Sequence, residues 1–333
     1  MSFESTGVLE EIYQNGIAPV VVIDDPDDAV PLAKAVSAGG LGVMEVTFRT
    51  AAAGAAIERI SEELPNMLVG AGTVLSVSDV KRARDAGAKF AVSPGYDPEV
   101  VEECLKSGLP IIPGVSTATE AQAAMKQGLD AVKLYPAAQL GGPSYLKAFT
   151  GVYPSLRIMP TGGIRPETVC DYLDLPHVAA VGGTWLCPRD MVAEKKFREI
   201  EAIVRDSVNR MFDFKLLHIG LNSRDEEDAR EKGGSFAEMF NLPLIDLPTA
   251  FFAGTMMEIV KKPFLGEHGH IAVSTNYIDR AMAYFERRGY SFRPTEGERR
   301  DLVAAFFEQE IGGFAIHLRR SLDRRERLDP ECI

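Results

Sequence analysis

Short apolar stretches alternate with helical patterns over residues 1–213. Eight of these stretches have the length and composition of buried strands: residues 18–23, 43–47, 67–71, 89–93, 110–113, 131–135, 157–160 and 178–182. Between them, apolar positions recur at helical spacing, as in residues 80–86 and 99–107. Regular alternation is typical of a parallel α/β fold, and eight units favour a closed (β/α)8 TIM barrel over an open doubly wound sheet.

The pattern changes after residue 213, where a smaller unit repeats itself. A strand is predicted at 215–221, a helix at 226–240 and an extended hairpin at 250–262. The segment that begins at His218 resembles the one at His270, the segment at Gly254 resembles the one at Gly313, and a helix at 278–288 follows the second copy. Two copies of a strand–helix–strands unit predict a second, smaller α+β domain. We therefore expect domains at 1–213 and 214–333, with a frayed charged tail at 321–333.

Composition narrows the function without identifying it. The chain has 333 residues, of which 46% are hydrophobic and 25% charged, and its net charge is −12. This charge argues against nonspecific binding to nucleic acid or to an anionic membrane surface. No apolar run approaches the roughly 20 residues that span a bilayer, and the amino terminus does not resemble a signal peptide. The four cysteines show neither close pairing nor metal-type spacing. Free thiols in the cytoplasm are expected.

Lys133 stands in the middle of the predicted strand 131–135, where a charged side chain is out of place. Burial disfavours the ammonium form, and a neutral lysine is a nucleophile that can form a Schiff base with a ketone. Its position is equally consistent with a lysine that reaches solvent or pairs with a carboxylate.

Other polar residues stand near the ends of the predicted strands, which share one face in a barrel. Glu45 is framed by apolar residues and suits a general acid or base, or a structural partner for Lys133. Arg49 follows the same strand and could hold a carboxylate in a bidentate fork, or lie on the surface. Thr73 ends a Gly-Ala-Gly-Thr segment and could bind an anion, or serve as an ordinary turn residue.

Two glycine pairs, Gly162-Gly163 and Gly182-Gly183, end the last two predicted strands. Barrels frequently bind phosphate at this place through backbone N–H groups and a helix N-terminus. Either pair alone is a weak signal, but together they favour a phosphorylated substrate.

Together these motifs resemble those of the bacterial 2-keto-3-deoxy-6-phosphogluconate (KDPG) aldolase family, which also acts on 4-hydroxy-2-oxoglutarate (KHG). The matching segments are residues 42–50, 69–75, 90–95, 112–117, 132–137, 160–164 and 182–186. Their order and spacing carry the resemblance over about residues 7 to 210. The resemblance implies a class I aldolase that needs neither metal nor cofactor and works as a homotrimer or a higher homo-oligomer.

It also implies a role for each residue. Lys133 would attack the C2 ketone and Glu45 would move protons, so that the C3–C4 bond breaks to give pyruvate and glyceraldehyde 3-phosphate in the Entner–Doudoroff pathway. The substrate carboxylate would bind Arg49 and Thr73, with Pro94 shaping the pocket. The phosphate would bind Gly162, Gly163, Gly183 and Thr184. The family commonly has serine at the position of Thr184. Cleavage of 4-hydroxy-2-oxoglutarate to pyruvate and glyoxylate, or of the galactonate epimer of the sugar acid, stays open.

Residues 215–320 resemble a vicinal-oxygen-chelate (glyoxalase-like) domain of two βαβββ modules. That family often holds a divalent metal with ligands on the first and last strand of each module. Carried onto the repeat, these positions are His218, Glu258, His270 and His317. Such donors suit Fe, Mn, Zn or Ni, although His317 stands where the family often has glutamate. Alternatively, this domain is an oligomerisation module or a small-molecule sensor. For the whole chain, a further alternative is that the barrel is a catalytically inactive scaffold for the second domain.

Overall fold

The computed structural model describes residues 7–321. The chain divides into two compact units between Met211 and Phe212. None of the helices in residues 7–321 is long and apolar enough to cross a membrane.

The first unit alternates strands and helices. Its strands are β1 (Ile17–Val21), β2 (Val43–Thr47), β3 (Leu68–Gly72), β4 (Ala91–Val92), β5 (Ile111–Ile112), β6 (Gly114–Val115), β7 (Ala131–Leu134), β8 (Arg157–Ile158) and β9 (Val181–Gly183). Its helices are α1 (Val8–Asn15), α2 (Ala29–Gly39), α3 (Ala53–Glu63), α4 (Val77–Asp85), α5 (Pro98–Ser107), α6 (Ala118–Lys126), α7 (Gly142–Thr150), α8 (Val169–Leu173), α9 (Arg189–Ala193) and α10 (Phe197–Phe212).

These strands form a curled, parallel α/β arrangement, which confirms the predicted parallel α/β fold. One sheet has the order β5-β4-β3-β2-β1-β9, and a second has the order β6-β7-β8. Two isolated parallel bridges, Ile158 with Val178 and Thr161 with Gly182, join β8 and its end to the segment around β9. The predicted strand 110–113 is wrong in its extent. Instead, β5 stops at Pro113, which has no N–H to donate, and β6 begins one residue later.

The core of the first unit lies between the strands. Every residue of β1, β2 and β3 is buried, as expected for parallel strands covered on both faces. Phe90 is fully buried there because Gly70 leaves room for its ring: a Cβ at Gly70 would lie 2.4 Å from it. Burial of such a side chain contributes about 1.5–3 kcal/mol to stability. The strands that carry polar residues at their ends are therefore anchored in a close-packed interior.

Local hydrogen bonds fix where the helices begin. Thr117 caps α6, and the Glu120 side chain reaches back to the Thr117 N–H to complete a capping box. Asp97 caps α5, whose first residue is Pro98, and Ser76 caps α4. These caps satisfy N–H groups at each helix start and set the loops that follow β3, β4 and β6.

The second unit is built on one seven-stranded sheet. Its elements are β10 (Lys215–Asn222), α11 (Glu226–Phe240), β11 (Leu244–Asp246), β12 (Ala250–Ala253), β13 (Met257–Val260), β14 (Gly269–Thr275), α12 (Ile278–Arg287), β15 (Ala304–Ile311) and β16 (Phe314–Arg320). The strand order is β11-β12-β13-β10-β14-β16-β15. In each half the first strand pairs in parallel with the last, β10 with β13 and β14 with β16, and the halves meet where β10 pairs antiparallel with β14.

Helix α11 of this unit was predicted from the sequence, whereas strand β11 was not. Helix α11 has the predicted bounds, since its buried positions Ala229, Gly233 and Ala237 recur at helical spacing. Strand β11 was missed because all three of its residues are exposed at the edge of the sheet and leave no pattern of burial. The predicted frayed tail, apart from Ser321, lies outside the described residues.

Candidate active site and a second polar cluster

Lys133 and Glu45 meet inside the first unit. Lys133 is on β7 with 5% of its surface exposed, and Glu45 is on β2 and fully buried. The Lys133 Nζ lies 3.2 Å from Glu45 Oε1 and 3.4 Å from Oε2. Buried charges require partners, and each of these groups supplies the other's. Lys133 therefore does not reach solvent, and the two predicted residues form one buried acid–base pair.

Missing side chains make room for this pair. Gly72 is in register with Thr47 of β2, and a Cβ at Gly72 would lie 2.2 Å from Glu45 Oε1. Gly114 is in register with Lys133, and a Cβ there would lie 2.2 Å from the Pro94 carbonyl oxygen. The sequence predictions gave neither glycine a role in the site. The available signal was a glycine immediately before Thr73, on the strand next to Glu45.

Thr73 and Arg49 lie where two neighbouring strands end. Thr73 follows β3 directly, is partly exposed and has a φ of 57°, which is uncommon for a residue with a side chain. Arg49 is exposed two residues beyond β2 and forms no ion pair with any residue in 7–321. The neighbouring Phe48 ring is covered instead by the Arg82 guanidinium, 4.8 Å from the ring centroid.

The predicted phosphate residues lie at the ends of β8 and β9. Gly162 and Gly163 have φ values of 99° and 72°, which favour glycine. Gly183 packs against Trp185, so closely that a Cβ would lie 2.3 Å from the indole ring, and Thr184 is exposed. Within residues 7–321, the backbone N–H groups of Gly163 and Thr184 donate no hydrogen bond. The expected helix N-terminus is not directly behind either pair, because α8 and α9 begin only at Val169 and Arg189.

Contacts link three of the predicted residues, Glu45, Lys133 and Pro94, into one chain of neighbours. Glu45 touches Lys133, Lys133 pairs with Gly114, and Gly114 abuts the Pro94 carbonyl. At the next strand, a Cβ at Gly162 would lie 3.2 Å from the Tyr135 ring. No hydrogen bond or ion pair among the described residues ties Arg49 or Thr184 to the lysine–glutamate pair.

A buried lysine beside a buried carboxylate in a parallel α/β unit is an arrangement that suits a Schiff-base lyase, because a lysine amine is the nucleophile that attacks a carbonyl carbon in such enzymes. Residues 8–203, more than half of the chain, match the family model of the KDPG and KHG aldolases. The chain belongs to this family and is an aldehyde-lyase.

Individual relatives agree with the family match. The 2-dehydro-3-deoxy-phosphogluconate aldolase of Treponema pallidum is 42% identical over 201 residues, which cover 60% of this chain and 96% of the relative. The KHG/KDPG aldolase of Escherichia coli is 40% identical over 200 residues, covering 60% of this chain and 94% of the relative. A solved KDPG aldolase from Legionella pneumophila, with pyruvate captured as a covalent carbinolamine, is 38% identical with a TM-score of 0.58, and the match covers 60% of this chain and 96% of that one.

A second cluster of polar side chains lies in the second unit, beyond the family match. His218 Nε2 is 2.9 Å from Glu258 Oε2 and 3.2 Å from His270 Nε2. His270 Nε2 is 3.2 Å from the same carboxylate oxygen. Nitrogens of these two histidines and of His317 all lie within 4.8 Å of one another. The four side chains that the repeat predicted as ligands are therefore brought together.

Register explains why they meet. His270 and Glu258 both pair with Gly220 of β10, while His218 and His317 both pair with Ala272 of β14. The four side chains thus come from four neighbouring strands of the sheet, β13, β10, β14 and β16. A Cβ at Gly220 would lie 2.1 Å from the His270 ring, so only glycine leaves this space open.

The cluster is buried, and only some of its polar atoms have hydrogen-bond partners among the described residues. Burial would raise the pKa of Glu258, but hydrogen bonds and charge from His218 and His270 outweigh it and lower that pKa to about 2. Burial, together with the positive charge of the neighbouring histidines, lowers the pKa of His317 to about 3. Both ring nitrogens of His317 are buried without a hydrogen-bond partner among the described residues, and its ring stacks on Phe306 at 4.4 Å. Buried donors and acceptors without a partner are costly in a protein interior.

Proposed function

We propose that the first unit cleaves 2-keto-3-deoxy-6-phosphogluconate to pyruvate and glyceraldehyde 3-phosphate through a Schiff base on Lys133. The observation that carries the proposal is the buried contact of 3.2 Å between Lys133 Nζ and Glu45 Oε1. Both side chains are buried, and the Lys133 nitrogen lies within hydrogen-bond reach of both carboxylate oxygens of Glu45. The pair therefore supplies a nucleophilic amine and a proton carrier at one place.

The steps follow from these two groups. The Lys133 nitrogen attacks the C2 ketone, Glu45 delivers the proton that the carbinolamine oxygen needs, and water leaves to give an iminium ion. Glu45, directly or through a water molecule, then takes the proton of the C4 hydroxyl. The C3–C4 bond breaks, its electron pair moves into the enamine, and C4 departs as the aldehyde. Protonation at C3 and hydrolysis release pyruvate and regenerate Lys133.

We assign the substrate's two anionic ends to opposite sides of this pair. Arg49 and Thr73 would hold the carboxylate beside Glu45, since the Arg49 guanidinium has no ion-pair partner within residues 7–321. Pro94 would line the pocket through its contact with Gly114. At the other end, the N–H groups of Gly163 and Thr184 donate no hydrogen bond within residues 7–321. These free donors support binding of the phosphate there, together with Gly162 and Gly183. We expect the phosphorylated sugar acid to be preferred over 4-hydroxy-2-oxoglutarate.

We also infer that the two sheets of the first unit close into one eight-stranded barrel. The support is that β5 and β6 are separated only by Pro113, and that two bridges join the end of β8 to the segment around β9. Closure would place the ends of all strands, and the residues discussed above, on one rim.

Reduction with borohydride in the presence of pyruvate tests the central claim. A stable adduct should form on Lys133, identified by mass spectrometry of the digested protein, and should be absent from Lys133→Gln. Lys106→Gln is the matched control, because Lys106 is an exposed lysine paired only with Glu102. An adduct that survives in Lys133→Gln, or folded wild-type protein with no adduct, would reject the mechanism.

The second cluster favours a second function, and we propose that the second unit binds one divalent metal ion through His218, Glu258, His270 and His317. Bonds of about 2.0–2.1 Å place two donors on one ion no more than about 4.2 Å apart. The Glu258 oxygen and the two nearer histidine nitrogens, at 2.9–3.2 Å, meet this limit. Three imidazoles and a carboxylate suit Zn, Fe, Mn or Ni, and the bound ion would supply a Lewis acid. The repeated β–α–β arrangement supports a glyoxalase-like pair of βαβββ modules.

Metal analysis of the full chain tests this second function. About one equivalent of metal per chain is expected after loading and desalting, and much less in His218→Ala. His268→Ala is the control, since the His268 ring meets Phe314 edge to face, outside the cluster. Equal metal content in all three proteins would reject the site. Assembly as a homotrimer or a larger homo-oligomer stays a prediction, which light scattering on the full chain would measure.

A further inference from the structure

The side chain of Tyr135 lies beside Lys133, and its phenolic hydroxyl has no hydrogen-bond partner within residues 7–321. Tyr135 follows Lys133 by two residues at the end of β7, so that the two side chains point to the same side. The Lys133 Nζ lies 5.9 Å from the centroid of the Tyr135 ring. The same ring lies against Gly162, where a Cβ would be 3.2 Å from both Cδ2 and Cε2. The ring is therefore close both to the nucleophile and to the glycine segment assigned to the phosphate.

The backbone of Tyr135 is held on both sides. Its N–H donates to the Val115 carbonyl at 3.1 Å, and its carbonyl accepts from the Ser116 hydroxyl at 2.6 Å. Ser116 is in turn held by Tyr145, whose hydroxyl donates to the Ser116 carbonyl at 2.7 Å. A ring on so constrained a backbone has a defined position, as a residue that selects between ligands requires.

The Tyr135 hydroxyl itself has no hydrogen-bond partner in residues 7–321, although the residue is half-buried. The hydroxyls of Tyr145 and Tyr153 both donate to backbone carbonyls. A phenol that shields a site with its ring alone could be a phenylalanine, because its hydroxyl would add only an unpaired polar group. The free hydroxyl points instead to a partner that arrives with the substrate.

We propose that Tyr135 is a specificity-determining residue whose hydroxyl binds the substrate hydroxyl at C5, between the ketone and the phosphate. The inference rests on the proposed aldolase function, which sets C2 at Lys133 and the phosphate at Gly162 and Gly163. C4 and C5 both carry a hydroxyl between these two anchors; the C4 hydroxyl is assigned to Glu45, which leaves the C5 hydroxyl for Tyr135. In the condensation direction, C5 is C2 of glyceraldehyde 3-phosphate. Tyr135 thus selects a phosphorylated aldehyde that carries an α-hydroxyl.

Condensation of pyruvate with two aldehydes tests the assignment. One is glyceraldehyde 3-phosphate, and the other is 3-phosphooxypropanal, which has the same length and phosphate but lacks the hydroxyl. Tyr135→Phe should lower kcat/KM for glyceraldehyde 3-phosphate by about tenfold, the effect of one lost hydrogen bond. It should change kcat/KM for the deoxy aldehyde by less than about twofold, since the wild-type hydroxyl has nothing to bind there.

Three controls keep the outcomes separate. Tyr153→Phe removes a phenolic hydroxyl elsewhere in the unit and should leave the ratio of the two aldehydes unchanged. Borohydride trapping of pyruvate by Tyr135→Phe should match wild type, which shows that the variant is folded and its lysine competent. Wild-type protein that condenses neither aldehyde would refute the aldolase function itself. An equal loss for both aldehydes, no loss for either, or loss of trapping would overturn the role of the Tyr135 hydroxyl.

Discussion

The two units bury polar groups in opposite ways. In the first, Lys133 and Glu45 form one buried pair in direct contact, so each satisfies the hydrogen-bonding needs of the other. In the second, Glu258 contacts His218 and His270, and His317 lies beside these histidines with both ring nitrogens unpartnered among the described residues. The first pair is satisfied within the protein, whereas the second cluster would be satisfied by the proposed metal ion. Whether the buried polar groups have hydrogen-bond partners thus distinguishes the self-contained acid–base pair from the proposed metal site.

The largest expected effect comes from breaking the matched pair. Glu45→Gln keeps the size of the side chain but removes its ability to take a proton, and kcat should fall by about 10²–10⁴-fold. Steady-state cleavage of 2-keto-3-deoxy-6-phosphogluconate measures this. Glu58→Gln, on the exposed face of α3, should retain wild-type activity. Full activity in Glu45→Gln would show that the contact with Lys133 is structural only.

A smaller effect should follow from displacing the pair without changing its chemistry. An alanine at Gly72 would put its Cβ 2.2 Å from Glu45 Oε1, and the carboxylate must move. Misplacement of a catalytic group by about 1 Å costs about 10²-fold in rate. Gly54→Ala on α3 is the matched control, because nothing lies within 4 Å of a Cβ there. If both alanine variants have wild-type kcat, Glu45 does not need its observed position.

The smallest effect concerns the stability of the second unit in chelator-treated protein. The pKa of His317 is lowered to about 3, so the unfolded chain binds more protons than the folded one below its ordinary value of 6.5. Stability contributed by neutral His317 is then present above about pH 6.5 and is lost as the pH falls toward 3. Glu258, with its pKa lowered from 4.5 to about 2, adds a further loss only below about pH 4.5.

Chemical denaturation between pH 7 and 4.5 measures this difference. His317→Phe should flatten the decline of the unfolding free energy in this range, since it removes the group that titrates there. His268→Phe should leave the decline unchanged. A decline of equal slope in wild type and His317→Phe would show that other groups control the acid sensitivity.

Features with a local pattern were predictable from the sequence. Strand β2 has the predicted bounds, and Lys133 could be singled out because a charged residue interrupts an apolar run. The histidines could be aligned because the chain repeats itself. Gly72 and Tyr135 were missed because their importance depends on contacts with Glu45 and Gly162, which lie on other strands. No periodicity along a chain indicates which distant side chain will occupy the space beside a glycine.

The strand pairing of the seven-stranded sheet also determines when, during synthesis of the chain, the four side chains of the cluster can come together. Two of the four clustered side chains, His218 and Glu258, belong to the first repeat, and His317 stands on β16, the last strand that the structure describes. During synthesis, the first repeat alone offers only half of the donors. In the proposed metal site, an ion would gain all four donors only after residue 317 has left the ribosome and β16 has paired with β14. Metal occupancy in the cell would therefore report chains in which the second repeat has folded, and not merely folded first repeats.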